Sequence, residues 1–131
     1  MKIINIILLT ILISSCAKSI SYDNITVKNW EVETGKDSFK SSFEDFSGDT
    51  YQNFELAKGD KLHLNFETNL KEGTVEFHLK DDNSNNLWTS STKNIGEDSD
   101  TLNILIEETG VYKLITRGNK ASGEFNYVFK K

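Results

Sequence analysis

The chain has 131 residues, with 15 Lys and Arg against 20 Asp and Glu and a formal net charge of −5. That balance excludes nucleic acid as a partner, since a phosphate backbone is gripped by clustered Lys and Arg, and it leaves an anionic bilayer nothing electrostatic to hold. One cysteine excludes an internal disulfide, the absence of proline excludes a Pro-rich spacer, and the length suits one domain.

The chain opens on an export signal. Lys2 supplies a positive charge, the apolar run over 3–13 is broken only by Asn5 and Thr10, and Ser14 and Ser15 are small. A basic start, a short apolar run and small residues before a cleavage point are what a secretion apparatus reads. The run is shorter than the roughly 20 apolar residues that span a bilayer core. Ile13-Ser14-Ser15-Cys16 resembles the lipobox of bacterial lipoprotein signal peptides. That resemblance implies transfer of a diacylglyceryl group to the Cys16 sulfur, cleavage before Cys16, and a further acyl chain, such as palmitate, on the new amino terminus. Two or more acyl chains hold a protein stably on a membrane where one is marginal. Ala17 stands where an inner-membrane retention signal of two-membrane cells has Asp. The expected organisation is a helical signal peptide over 1–15, a lipidated tether over 16–24, and a domain over 25–131. The expected location is the extracytoplasmic side of a cell membrane or outer membrane.

Within the domain, short stretches of period two alternate with clusters of Gly, Asp and Asn. No window sustains the i, i+3, i+4, i+7 spacing of an amphipathic helix. Such a chain reads as all-β, an antiparallel two-sheet β-sandwich. In 25–34, Ile25 and Val27 share one face and Trp30 and Val32 the other, which predicts a bulge or a passage between sheets. Phe39 and Phe43 share a face, Phe46 precedes a turn at Gly48-Asp49, and Phe54 and Leu56 lead into a turn at Lys58-Gly59-Asp60. Leu62, Leu64, Phe66 and Thr68 then alternate with polar residues, as do Val75, Phe77 and Leu79. With Gly73 closing a four-residue loop these stretches predict a hairpin, Asn69 opposite Thr74, Phe66 opposite Phe77 and Leu64 opposite Leu79. A polar turn at 81–86 and a strand over 87–91 follow, and 93–100 reads as a loop. Leu102, Ile104 and Ile106 mark the next strand. It either forms a hairpin with 111–116 through Glu108-Thr109-Gly110 or crosses to the opposite sheet. A Gly-bearing loop over 118–123 predicts a last hairpin, Thr116 opposite Phe125 and Leu114 opposite Tyr127.

The spacing Phe54-x-Leu56-x-x-Gly59-Asp60-x-Leu62-x-Leu64, Gly73-x-Val75-x-Phe77-x-Leu79-x-Asp81, Gly110-x-Tyr112-x-Leu114 and Gly123-x-Phe125-x-Tyr127 resembles bacterial pre-peptidase C-terminal type modules over 39–129. The resemblance implies a jelly-roll-like β-sandwich with an accessory, binding or spacer role. It brings no catalytic residues.

In the predicted hairpin, His63 and His78 point away from the core, about 7–8 Å apart on a diagonal. Zn²⁺ or Cu²⁺ held there would recruit Glu67, Glu76 or Asn65; the plainer alternative is a solvated face. Asp81-x-Asn83-x-Asn85 has the alternating oxygens that open a calcium loop. Asn86 then stands where such a loop needs Gly, Thr92 stands where it needs Glu, and Asp and Asn form turns unaided. Trp30, Tyr51 and Trp88 are candidates for a sugar-stacking platform, with Trp88 near Ser90 in a mixed polar and aromatic setting; the alternative is packing in the core or at its rim. No Gly-x-Ser-x-Gly, His-Glu-x-x-His or phosphate-cradling Gly loop is present. The sequence therefore reads as a lipid-anchored, non-enzymatic interaction module for a protein or glycan, without a cofactor. The alternatives are a structural envelope lipoprotein with no small ligand, or a metal-binding one using His63 and His78, with Ca²⁺ or Zn²⁺ the candidate ions.

Overall fold

The computed structural model describes residues 20–130; the predicted signal segment and Cys16 lie outside the described residues. Among the described residues no helix is long and apolar enough to cross a membrane. The elements are β1 (Ile20–Thr34), β2 (Ser38–Leu56), β3 (Lys61–Lys80), β4 (Asn86–Thr89), β5 (Gly96–Leu105) and β6 (Gly110–Lys130). Every ladder between them is antiparallel. β1 begins at Ile20, inside the stretch 16–24 read as a tether.

Alternation, broken only at the bends and a few positions, carries β2, β3 and β6 to 19, 20 and 21 residues, far beyond the roughly 5–6 of a common strand. Strands this long do not stay in one layer. A straight strand would hold positions 66 and 77 about 36 Å apart, yet the Phe66 and Phe77 rings lie 4.4 Å apart. β3 therefore folds over, and β2 and β6 bend with it. Residues 38–43 of β2, 123–130 of β6 and 61–70 of β3 form one layer, flanked by the end of β1 and by β5. Residues 48–56, 110–119 and 74–80 of the same strands form the other, flanked by the start of β1 and by β4. The result is the antiparallel jelly-roll-like sandwich expected.

The expected hairpins are corrected by this. Asn69 pairs with Glu124 and Glu97 rather than Thr74, Phe66 pairs with Tyr127, and Phe77 with Thr116. Likewise Thr116 pairs with Thr50 and Phe77, and Phe125 with Ser41 and Thr68, so 118–123 is a bend within β6. Gly48-Asp49 is likewise interior to β2. Part of the expected loop at 93–100 is strand, since β5 starts at Gly96 and pairs with β3, leaving the chain to cross layers before β6. A hairpin would put these side chains on one face of one sheet and an arch puts them on facing layers; the set that turns inward is the same, and only the backbone partners differ. Phe66 and Phe77 do meet, across the sandwich rather than along a sheet.

Two glycines allow the arches to nest. Gly73 has φ of 71° and Gly123 has φ of 142°. A Cβ at Gly73 would lie 2.2 Å from the Lys120 carbonyl oxygen, and one at Gly123 would lie 2.2 Å from that of Asn69. The bends of β3 and β6 thus press backbone on backbone. The parity switch read in 25–34 is also present: β1 has register shifts between Asp23 and Glu31, with Asn29 at φ of 49°.

The core between the layers is aromatic, with Phe39 stacked on Tyr127 at 5.2 Å and Phe77 edge-on to Phe125 at 5.4 Å. After β4 the chain runs down the open side of the sandwich, where Lys93 exchanges backbone hydrogen bonds with Val75. The Lys93 ammonium is buried but not orphaned. It donates to Ser91 Oγ at 2.8 Å, Asp100 Oδ2 at 3.2 Å and the Ser99 carbonyl at 3.3 Å, which satisfies a cation that burial would otherwise penalise heavily.

Candidate functional site

The outer face of the second layer is set by the phase of its three central strands. Gln52 and Phe54, Leu114 and Thr116, and Phe77 and Leu79 are buried, so their neighbours in sequence face outward. The registers then align nine outward residues in three rows. Asp49, Arg117 and Glu76 form one row; Tyr51, Ile115 and His78 the next; Asn53, Lys113 and Lys80 the third. The loop over 81–85 borders them, and with part of β2 and β6 it encloses a cleft of about 500 Å³. Ile115 lies on the cleft wall and is nonetheless 4% exposed, because its neighbours in the middle row cover it.

Charge is distributed unevenly across the rows. Arg117 makes a forked contact with Asp49, Nε to Oδ1 at 2.8 Å and Nη2 to Oδ2 at 3.1 Å. Glu76 accepts from Thr92 Oγ1 at 2.7 Å and faces His78 Nε2 at 3.2 Å. The Thr92 hydrogen bond, followed by those of His78 and the charge of Arg117, holds the Glu76 carboxyl below the usual carboxylate range. At the other end the Lys113 ammonium sits 4.9 Å from the centre of the Tyr51 ring, within cation–π reach.

The expected site residues are scattered by the arch. His63 lies outward on the first layer, in contact with Asn103, and His78 lies outward on the second, against Thr89. They occupy opposite outer surfaces, which removes the shared face that a His63–His78 metal site required. Among the described residues no group of three or more His, Cys, Asp or Glu is arranged to hold a metal ion. Asp81 and Asn83 belong to a self-contained turn. Asp81 Oδ1 accepts from the Asn83 and Asn85 backbone N–H groups at 2.9 and 2.8 Å, and Oδ2 accepts from the Asn85 amide at 3.0 Å. Those bonds, the Asn85 side chain first, hold the Asp81 carboxyl below its ordinary value.

Trp30 is in the core, edge-on to Phe46 at 5.5 Å. Trp88 is opposite the fully buried Leu79 and stacks on Phe66 at 5.4 Å, so one of its faces is used at the rim of the core. Tyr51 alone of the three aromatics reaches the cleft. The sequence reading missed Lys113, Ile115 and Arg117. A signal for them existed: Ile115 interrupts the alternation Tyr112, Leu114, Thr116 with an apolar residue out of phase, and Arg117, just beyond, is the chain's one arginine.

No family model matches the chain, and no curated relative does. The likeness to pre-peptidase C-terminal modules therefore rests on the spacing of glycines and apolar residues alone. Among solved structures the chain is similar to a CBM4 structure, with a TM-score of 0.51 and 12% identity over 84% of this chain and 81% of that one. It is also similar to TmCBM61 in complex with β-1,4-galactotriose, with a TM-score of 0.54 and 14% identity over 88% and 89%. At these identities the likeness is one of fold, the jelly-roll β-sandwich of carbohydrate-binding modules.

Proposed function

We propose that the chain is a non-enzymatic glycan-binding module, exported and held on a bilayer through acylated Cys16, with the sugar seated on the outer face of the second layer. The observation that carries this is the middle row, Tyr51, Ile115 and His78. It gives the Tyr51 ring beside a roughly 500 Å³ cleft, with Ile115 covered beneath it, and flanking rows supply a forked Arg–Asp pair and the Asn53 amide. A sugar ring offers the matching chemistry, an apolar C–H face below and hydroxyl groups around its edge, and such sites are apolar with a few placed polar groups. The likeness of fold to carbohydrate-binding modules supports the reading.

One experiment with two variants tests both halves. The full chain is expressed in a bacterial host that acylates lipoproteins, fractionated, and probed with a panel of neutral and acidic oligosaccharides that includes β-1,4-galactotriose. The wild type is expected with the membranes and bound to at least one sugar. Cys16→Ser releases the protein to the soluble fraction with sugar binding retained. Tyr51→Ala leaves it membrane-bound and weakens the sugar about tenfold, the loss that one good ring contact gives. Cys16→Ser protein that stays in the membrane defeats the anchor, and a Tyr51→Ala variant that binds as well as wild type defeats the site.

A further inference from the structure

The third row of the same face is unlike the others. Lys80 and Lys113 stand directly opposite each other on β3 and β6, and like charges directly opposed across a ladder destabilise a sheet. Three other outward cations are matched: Arg117 by Asp49, Lys28 by Asp45 at 3.5 Å, Lys40 by Glu124 at 3.6 Å. Among the described residues the ion pairs include no carboxylate partner for Lys80 or Lys113. Of the nearest acids by sequence, Asp81 spends both oxygens on Asn83 and Asn85, and Asp82, on the wall of the same cleft, is in no ion pair with either lysine. The third residue of the row, Asn53, is neutral.

Resting on the glycan reading above, we propose that the ligand is an anionic sugar whose carboxylate or sulfate bridges Lys80 and Lys113 while its ring lies on Tyr51. The geometry allows this: the Lys113 ammonium lies over the Tyr51 ring, 4.9 Å from its centre, so turning it toward the acid group opens the ring face to the same sugar. A lysine ammonium is a compact point charge with three donors, and it accepts a carboxylate or a sulfate without the planar match that arginine imposes. The chain as a whole carries a net charge of −5, so a polyanion is repelled at long range and the attraction is local to this row. Binding should therefore select charge at one position on the sugar, not charge density along a polymer.

The test uses calorimetry on the full chain with four probes: an oligogalacturonide, its methyl ester, a neutral galactan oligosaccharide and a sulfated one. The free acid or the sulfated probe is expected to bind at least tenfold more tightly than its uncharged counterpart at about 20 mM salt, with the gap narrowing at about 0.5 M as screening grows. Lys80→Gln with Lys113→Gln should erase the gap. A preference between the carboxylate and sulfate probes names the group that is held. Equal affinity for charged and uncharged counterparts in the wild type overturns the inference and leaves the glycan reading standing. Binding of none of the four overturns both.

Discussion

Arg117 and Glu76 show how a residue on an open face acquires a fixed geometry. Arg117 is opposite Asp49 on one side and Glu76 on the other, and the Asp49 fork sets the plane of the guanidinium. Glu76 in turn ties β3 to Thr92 in the crossing segment and to His78 beside it. Because the folded state holds the Glu76 carboxyl below its ordinary value, the unfolded chain binds protons more readily in that range, and stability rises with pH there. The contribution is complete above the ordinary carboxylate pKa and is lost as pH falls through the lowered folded value. Asp81, lowered by its bonds to Asn85 and Asn83, acts in the same direction. The melting temperature should thus be nearly flat between about pH 7 and 5 and fall below about pH 4. Glu76→Gln should fall less steeply than wild type over the acid limb. Circular dichroism melts at a series of pH values read this directly, and identical acid limbs for the two proteins would show that Glu76 carries no such linkage.

At the scale of elements, the bends matter more than the strands. Gly123 combines a φ of 142° with a backbone oxygen 2.2 Å from where a Cβ would sit. Gly123→Ala should therefore cost about 2–4 kcal/mol, strain and overlap together. Gly59, at φ of 96° with nothing within 4 Å of a built Cβ, isolates the strain, and Gly59→Ala should cost about 1 kcal/mol. Urea midpoints compare them, and equal losses would mean the nesting of β3 against β6 contributes nothing. The same bends decide what the sequence could disclose. Alternation identified the inward set, Leu62, Leu64, Phe66, Val75, Phe77 and Leu79, all of it buried, and it identified Gly73 as the turning point. It could not say whether the two halves were hydrogen-bonded to each other or to β6, because side-chain phase is the same in a hairpin and an arch. The site was illegible for that reason. Its rows are assembled from backbone partners, so Tyr51 was visible as an aromatic while its neighbours Ile115 and His78 were not visible as a floor. His63 and His78 looked adjacent only under the wrong partnering.

For the whole molecule, topology sets both the order of assembly and the moment at which the site exists. The ladders β2–β6 and β3–β6 join segments far apart in the chain, and closing such loops precedes any reward from the contacts. Sandwiches dominated by distant partners fold in milliseconds to seconds. Two familiar sources of slower phases are missing here, since the chain has no proline and only one cysteine; prolyl isomerisation would otherwise add a phase of about 10–100 s. Stopped-flow refolding from urea should therefore complete within seconds, without a slower phase and without response to a prolyl isomerase. The cleft is lined from β2, from β6 and, at Lys80, from β3, so no single hairpin contains it. Trp88, stacked on Phe66 across the layers, reports closure of the same core. Tryptophan fluorescence and ligand-binding competence should recover with one rate constant. If binding competence returned earlier than the fluorescence, a partial structure would carry the site, and the floor of Tyr51, Ile115 and His78 would not be what forms it.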